Sequence, residues 1–377
     1  MEEGNVEYFY NRIVIVGNGL DLAMGLKTSY SDFLLDYLIS IIEKTQYERG
    51  YKDTLLSVGN TSQTYGKDFK LCKTIQEFID LTKENGHWQV KYLGILLNII
   101  DNLSIENWVD IESLYFDTML PMIDNVKKGR LNRRDYAQIR MLNDSFRELT
   151  INLDKYIHKI VGTQINNITL NQFYGFLEKC VEKQLDKRIC LNHKVDFGRL
   201  KSPEKVLFLN FNYTNSINKI LNFSRLNPEY SMINIHGQAG NPTNPIIFGY
   251  GDDTHPRYVD LEQERSDVPL EFIKSFYYNR TTDYHKMLGF MESGSYEVYI
   301  VGHSCGLSDR TLLKSIFEHE DCISIKIFHK GNKDRNINLN EHIRKNMAIS
   351  RHFDDKLKLR ERVLPFDEYA GIPQAKA

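Results

Sequence analysis

The sequence predicts an α/β protein in which a parallel sheet is covered by helices and interrupted by a large helical insertion. A short apolar run at residues 12–16 leads into Gly17-Asn18-Gly19 near the start of the chain. Strand-like apolar segments return only after Pro203, where helical patterns follow several of them. Between these regions almost every periodic segment has helical spacing. Strand–helix alternation of this kind is typical of parallel sheets that are buried on both faces.

These patterns divide the chain into an α/β domain at residues 1–30 and 200–335, a helical insertion at residues 31–199, and a helical tail at residues 336–377. The polar residues around 45–70 predict a surface loop. In the insertion we expect a buried Trp108, with solvated acids at Asp110 and Glu112. The strands of the α/β domain are expected at residues 12–16, 206–209, 232–235, 246–248, 298–301 and 323–327.

The composition restricts the class of partner. The 377 residues contain 48 Lys and Arg against 50 Asp and Glu, a net charge of −2, which gives no whole-molecule attraction to nucleic acid. The longest apolar segments fall short of the roughly 20 residues that cross a bilayer, so no membrane partner is expected. Five cysteines without a CxxC pair favour a reducing compartment over a disulfide framework or a structural zinc. We therefore expect a cytoplasmic protein.

Glycine and polar residues follow the first two predicted strands, at the edge where open α/β sheets bind ligands. Glycines at Gly17 and Gly19, with Asn18 between them, let a backbone approach a phosphate or ribose, and a tight turn explains them equally well. Asp21 can hydrogen-bond a sugar hydroxyl or cap the turn. Asn212 can hold a water or a ribose hydroxyl, although by position alone a helix cap explains it slightly better.

His236 ends the next predicted strand, and a histidine followed by glycine at that position suits a general base. Most lone histidines are structural, but three strand ends would converge here on one crevice. The loop after the fourth strand contains Asp252, Asp253 and His255, which signal a metal only weakly, and no metal is expected.

Gly302-His303-Ser304-Cys305-Gly306 has the GxSxG pattern of the nucleophile elbow in α/β-hydrolases. The short stretch after Ser304 leaves little room for the acid and the histidine of a triad. Asp309 and His319 are candidates by residue type alone. A Gly-Ser turn whose amides bind a phosphate is the alternative, and we expect that Ser304 is not a covalent nucleophile.

Taken together, six segments resemble the AbiH family of bacteriophage abortive-infection proteins, in order from residue 13 to about residue 330. The first and last of them are the most specific. This resemblance implies a role in bacterial defence and does not fix a biochemical activity. The segments are IVGNGLDLAMGLKTSYSDF, WVDIE, LNFNYT, INIHG, IIFGY and YIVGHSCGLSD.

The order of these motifs is also similar, more distantly, to the Rossmann-like, sirtuin-like NAD-binding fold. That resemblance implies that the loop from Gly17 to Gly19 cradles NAD, that Asn212 orients water or ribose, and that His236 is the base. Asp21 belongs to the same cofactor loop. The remaining contacts that it implies are Thr214, which replaces the acid of the sirtuin Asn-x-Asp pattern, and Gly302 and Ser304 at phosphate or ribose.

Residues 237–301 contain no cysteine, so the four-cysteine zinc module of sirtuin deacetylases is absent. This fits NAD-hydrolysing defence proteins better. The sequence thus predicts a phage-defence effector that binds NAD as its substrate and hydrolyses the nicotinamide–ribose bond. A homo-oligomer, the helical insertion or a phage-sensing partner would keep it silent before infection. A metal-dependent nuclease at the Asp252 loop, a serine hydrolase and a non-catalytic nucleotide sensor remain alternatives.

Overall fold

The computed structural model describes residues 9–48, 50–60, 67–84, 87–102, 108–127, 133–162, 167–183, 203–221 and 229–375. The chain divides into two compact units. Unit 1 comprises residues 1–26, 158–247 and 275–377, and unit 2 comprises residues 27–157 and 248–274. These boundaries differ from those drawn from the sequence, since residues 158–183 group with the strands of unit 1 and residues 248–274 with the helices of unit 2.

The described residues of unit 1 form a five-stranded, all-parallel sheet with the order β6-β5-β1-β7-β8. Numbered within the unit, this is the order 3-2-1-4-5 of Rossmann-like, doubly wound sheets. The α/β class is confirmed, whereas the sirtuin-like assignment stays a prediction. The strands are β1 (Asn11–Val16), β5 (Lys205–Asn210), β6 (Glu229–Asn234), β7 (Tyr296–Val301) and β8 (Cys322–Ile327).

The core of unit 1 lies on both faces of this sheet. Ile13 and Ile15 of β1 pack into one buried cluster and Val14 and Val16 into another, because successive side chains of a strand point to opposite faces. The helices that unit 1 contributes are Asn18–Ala23, Asn167–Glu182, Ser216–Leu221, Asp283–Met291, Arg310–Glu318, Arg335–Ser350 and Lys356–Arg362, with 3-10 turns at Tyr278–Arg280 and Leu307–Asp309.

The described part of unit 2 combines helices with a small antiparallel sheet of order β2-β3-β4. Its strands are β2 (Gly50–Lys52), β3 (Leu56–Asn60) and β4 (Trp88–Tyr92). The prediction of a surface loop around residues 45–70 was therefore wrong. The helices are Tyr30–Glu48, Ile75–Glu84, Gly94–Asp101, Trp108–Lys127, most of Arg133–Val161, and Tyr258–Glu262, with 3-10 turns at Lys67–Leu71 and Val268–Leu270. The 3-10 turn Lys274–Phe276 begins at the last residue of the unit.

Two other sequence-based expectations differ from the structure. Residues 246–248 are not a strand, although all three are buried and Ile247 donates its amide to the carbonyl of His236. Their apolar character reflects burial, which periodicity alone cannot distinguish from a strand. Residues 336–377 are more than a helical tail: Leu364 donates its amide to the carbonyl of Ile325, and Ile372 to that of His329, along the outer edge of β8.

A buried ion pair closes the N-terminal end of the sheet. Arg12 and Glu297 face each other in the register of β1 and β7, and Arg12 Nε donates to Glu297 Oε1 at 2.8 Å. Burial would lower the pKa of Arg12, but the Glu297 carboxylate outweighs it and raises that pKa above its ordinary value. The remaining guanidinium N–H groups donate to Glu297 again and to carbonyls at the end of helix Asn167–Glu182, those of Cys180, Val181 and Lys183.

Candidate functional site

The glycine loop after β1 is in contact with the backbone of the loop after β7. Gly17 donates its amide to the carbonyl of Val301 at 3.0 Å, and Gly19 donates to the carbonyl of Gly302 at 2.9 Å. The amide of Leu20 donates to the carbonyl of Gly17. Three amides that a phosphate would use are thus already bonded to the protein.

This packing gives a physical reason for the glycines that differs from the predicted one. A Cβ on Gly17 would lie 2.5 Å from Cα of His303, and a Cβ on Gly19 would lie 2.7 Å from the carbonyl oxygen of Gly302. Side chains at either position would therefore collide with protein backbone, so close packing between the two loops is sufficient to explain both glycines. Asn18 begins a helix of only six residues. The contacts of Gly17, Asn18 and Gly19 with NAD stay predictions.

Asp21 is the centre of a buried hydrogen-bonded group that we call the Asp21 cluster, with Asn212, Thr214 and Ser216. Thr214 Oγ1 donates to Asp21 Oδ2 at 2.6 Å, and Ser216 Oγ donates to Asp21 Oδ1. Burial raises the pKa of Asp21 to about 6, although the hydrogen bonds from Ser216, Thr214 and Asn212 oppose this shift. Both predicted cofactor contacts, Asp21 and Thr214, thus bind each other, and Ser216 joins them without having been predicted.

Asn212 has unused hydrogen-bonding capacity. It is 4% exposed, and its amide lies close enough to Asp21 to lower the pKa of that carboxyl. Neither Oδ1 nor Nδ2 makes a hydrogen bond of good geometry, however. The turn itself is held by Asn210. Its Oδ1 accepts from the backbone N–H of Asn212, and its Nδ2 donates to Asn234 Oδ1 at 2.8 Å. Asn212 is therefore not needed as a cap, and buried amides of this kind usually have a partner.

His236 belongs to a second group, the His236 cluster, with His303, Asp309 and Phe211. Its Nε2 lies 3.2 Å from Asp309 Oδ1, within ion-pair distance although the hydrogen-bond angle is poor. His303 Nε2 lies 3.6 Å from the other carboxylate oxygen, Asp309 Oδ2. The ring of Phe211 lies edge-on to both imidazoles, with centroid distances of 4.8 Å and 4.3 Å. All four residues are nearly inaccessible to solvent.

Asp309 occupies the N-cap position of helix Arg310–Glu318, and its side chain makes no capping hydrogen bond. An aspartate at this position ordinarily accepts from the first amides of its helix. Here the carboxylate lies against two histidines instead, while the start of the helix favours its negative charge. A residue named in the sequence only as a possible hydrolase acid is thus the partner of His236.

The loop after β7 does not have the geometry of a nucleophile elbow at Ser304. Ser304 is exposed, and within the described residues no hydrogen bond joins its hydroxyl to a histidine. The left-handed residue of the turn is Cys305, with φ of 55°. Burial raises the pKa of the Cys305 thiol to about 12, which makes it a poor nucleophile. The phosphate or ribose contacts of Gly302 and Ser304 stay predictions.

The contacts therefore place the predicted residues in two neighbouring clusters at the C-terminal edge of the sheet. Asn212 contacts the Asp21 cluster, while His236 contacts Asp309 and Phe211. That Asn212 and His236 share one pocket stays a prediction. A depression lined in part by Thr214 and Ser216 has a volume of only about 10 Å³. Ligand pockets are typically about 300–1,000 Å³, so this depression is too small for a dinucleotide.

The loop with Asp252 and His255 is held by its own turn. Asp252 Oδ1 accepts from the amide and the hydroxyl of Thr254, and His255 Nδ1 accepts from the amide of Arg257. Across the described ranges no group of three or more His, Cys, Asp or Glu side chains is arranged to hold a metal ion. Across the same ranges, no helix is long and apolar enough to cross a membrane.

The WVDIE segment has a structural role in unit 2, and the prediction that its acids are solvated was wrong for Glu112. Glu112 is buried, accepts from Lys274 Nζ at 2.8 Å, and accepts from the amide of Gly249 at 3.2 Å. A lysine 162 positions away supplies the counter-charge that allows the burial.

Fold and site together define an α/β protein with a Rossmann-like strand order and buried acid–base residues at the carboxyl ends of its strands. Residues 13–330 match the family described as "Bacteriophage abortive infection AbiH", and the chain belongs to this family. Family membership implies a role in abortive infection, and it confirms the resemblance seen in the sequence segments. No curated protein matches the chain.

Proposed function

We propose that this AbiH-family protein acts in abortive infection by hydrolysing the nicotinamide–ribose bond of NAD at the C-terminal edge of its parallel sheet. The observation that carries the proposal is the buried pair of His236 and Asp309 at that edge. Sheets with this strand order bind nucleotides beyond the carboxyl ends of their strands, where the order reverses. In this chain the reversal lies between β1 and β7, where the loop after β1 packs against His303 of the His236 cluster.

The chemistry requires a water, a base and a site that excludes bulk solvent. A water oxygen bonds to C1′ of the ribose while the C1′–N bond breaks and its electron pair stays on nicotinamide. The proton released by that water passes to His236 and then to solvent. An ionised Asp309 favours a proton on His236 Nε2, which leaves the lone pair of the neutral ring on Nδ1. The same carboxylate stabilises the imidazolium that forms.

Asn212 supplies the second part of the site. Its carboxamide has a donor and an acceptor that make no hydrogen bond of good geometry with the described residues, and it can hold either the attacking water or a ribose hydroxyl. The backbone amides of Gly17 and Gly19 already donate to protein carbonyls, so they are not expected to bind a phosphate of NAD. Because His236, Asn212 and Asp309 are each at most 5% exposed, substrate entry needs a local opening. This agrees with an activity that is silent before infection.

The test is to measure nicotinamide release from NAD by the purified protein, and the NAD pool of bacteria carrying it through a phage infection. His236→Gln should lower the rate about 10²–10⁴-fold, the usual loss when a general base is removed. The matched control is His285→Gln, at an exposed histidine of helix Asp283–Met291, which should keep the wild-type rate. Protection from phage with an unchanged NAD pool would contradict the proposal, and NAD binding without cleavage would favour a nucleotide sensor.

A further inference from the structure

His303 is a histidine whose two ring nitrogens both have assigned neighbours. The amide of Cys305 donates to Nδ1 at 3.0 Å, and a backbone amide can only donate. Nδ1 of His303 therefore carries the lone pair, and the proton of the neutral ring is on Nε2. That nitrogen faces Asp309 Oδ2 at 3.6 Å. His303 thus presents an N–H group to the carboxylate that also faces His236.

The backbone of His303 is held on two sides. Its carbonyl accepts from Lys345 Nζ at 2.6 Å, and Gly17 packs so closely against its Cα that a Cβ there would lie 2.5 Å away. The ring is 5% exposed and packs against Phe211. A side chain fixed in this way has little freedom to move away from Asp309, so the N–H group is preorganised.

We infer that His303 is a positioning residue: it holds the Asp309 carboxylate away from its own helix N-terminus and directed at His236. The inference rests on the proposed function for its catalytic consequence. Asp309 has two competing roles, since an N-cap aspartate can accept from its own helix or face a partner elsewhere. The His303 N–H at Oδ2 favours the second arrangement, which leaves Oδ1 for His236. With both nitrogens engaged, His303 itself does not transfer the proton.

Other ionisable groups near the His236 cluster are not expected to produce the pH dependence attributed to His236 and Asp309. Burial lowers the pKa of His352 to about 4, so this ring stays neutral at pH 6 and above, with Nε2 donating to the carbonyl of Cys305. Arg310 follows Asp309 in the chain and adds a guanidinium next to it. Burial lowers the pKa of Lys345, whose Nζ donates to the main chain of His303. Asp309 and His236 are therefore the pair whose geometry His303 controls.

Two substitutions separate the positioning role from simple packing of the turn. His303→Gln keeps a side-chain N–H near the position of Nε2 and loses the acceptor for the Cys305 amide. His303→Asn keeps an acceptor near the position of Nδ1 and loses the N–H toward Asp309. Each variant is compared with wild type in nicotinamide release across pH, in thermal unfolding, and in the ring ¹⁵N shifts of His236.

We expect His303→Asn to lower kcat about 10–100-fold, the loss typical of removing an outer residue that orients a functional side chain. A carboxylate without that donor attracts the imidazolium more strongly, so the acid limb of the pH–rate profile should move to higher pH. The ¹⁵N shifts of His236 should change in this variant. His303→Gln should retain most of the rate and the wild-type shifts of His236.

The opposite order, with His303→Asn like wild type and His303→Gln impaired, would show that the Cys305 contact matters and would overturn the inference. Equal losses in both variants would overturn it as well. A wild-type protein that releases no nicotinamide would refute the proposed reaction. The ¹⁵N shifts of His236 in the two variants would still decide whether His303 positions Asp309.

Discussion

The two ends of the five-stranded sheet both bury charge, and they do so in different ways. At the N-terminal end, Arg12 directs its N–H groups to Glu297 and to the carbonyls that end helix Asn167–Glu182. At the C-terminal end, His236 and His303 share one carboxylate. The side-chain amide of Asn212, which follows Phe211 in the chain, makes no hydrogen bond of good geometry with the described residues. Permanent charges with saturated donors fix a structure, whereas titratable groups next to unsatisfied ones are able to do chemistry.

The largest effect on stability is expected at Arg12. Arg12→Met leaves the Glu297 carboxylate buried without its counter-charge and should lower the free energy of unfolding by about 3–5 kcal/mol. Replacing Glu297 by Leu in the same chain should recover much of the loss, since apolar pairs of similar volume often substitute for buried ion pairs. Urea unfolding, with hydrogen exchange of the β1 amides, measures both.

Arg147→Met is the control for the Arg12 variant, because its partners Asp144 and Glu271 are partly exposed and such pairs contribute at most about 1 kcal/mol. The nicotinamide release per folded molecule should be unchanged by Arg12→Met. If Arg12→Met lowered nicotinamide release without lowering stability, the N-terminal end of the sheet would not have the purely structural role proposed for it.

Asp21 makes the C-terminal end sensitive to pH. Burial raises its pKa from 3.8 to about 6, so the folded chain binds this proton more tightly than the unfolded chain. The contribution stabilises the fold below about pH 4 and is lost as pH rises through about 6. A shift of about two units corresponds to about 3 kcal/mol. Asp21→Asn should therefore flatten the dependence of the unfolding free energy on pH between 4 and 6.

Asp354→Asn is the matched comparison, because Lys314 lowers the pKa of the exposed Asp354 and its titration falls below that pH window. This variant should leave the slope between pH 4 and 6 unchanged. If Asp21→Asn kept the wild-type dependence of the unfolding free energy on pH between 4 and 6, the prediction would be wrong. Burial would then not raise the pKa of Asp21 in the folded chain.

The smallest effects concern the glycines. Gly19→Ala places a methyl group against the Gly302 backbone and should cost about 1–3 kcal/mol, the usual range for overpacking. Gly175→Ala, in helix Asn167–Glu182, has no atom within 4 Å of the new Cβ and should stabilise the fold by up to about 1 kcal/mol. Thermal unfolding compares the two, and a neutral Gly19→Ala would restore the ligand as the reason for that glycine.

The sheet of unit 1 was largely predictable, because buried parallel strands such as β1 and β7 are continuous apolar runs. Residues 246–248 show the limit of this rule, since they are buried and apolar without pairing in a strand. The strands β2 and β3 were missed for the opposite reason: they are short, and polar neighbours obscure the buried Leu56 and Val58.

For the candidate site, the sequence indicated the positions of the residues at the strand ends but not which side chains would contact one another. His236 and Asn212 follow from the rule that ligands bind at the carboxyl ends of parallel strands. Their partners come from distant segments, as the separation of 73 positions between His236 and Asp309 shows, and no local pattern encodes such contacts. One sequence signal did indicate part of this pairing. His303 and Asp309 both lie in the segment YIVGHSCGLSD, so they are close in the chain, and Asp309 directly precedes helix Arg310–Glu318.

The segment that follows helix Lys356–Arg362 lies along the outer edge of β8, through bridges between Ile325 and Val363 and between His329 and Gly371. A bare strand at the edge of a sheet is a template to which another chain can add, and proteins commonly cover such edges. The segment from Val363 onward therefore covers the outer edge of β8. A chain shortened before Val363 would leave that edge open to pairing with another chain and would also lose the buried Leu364 and Ile372.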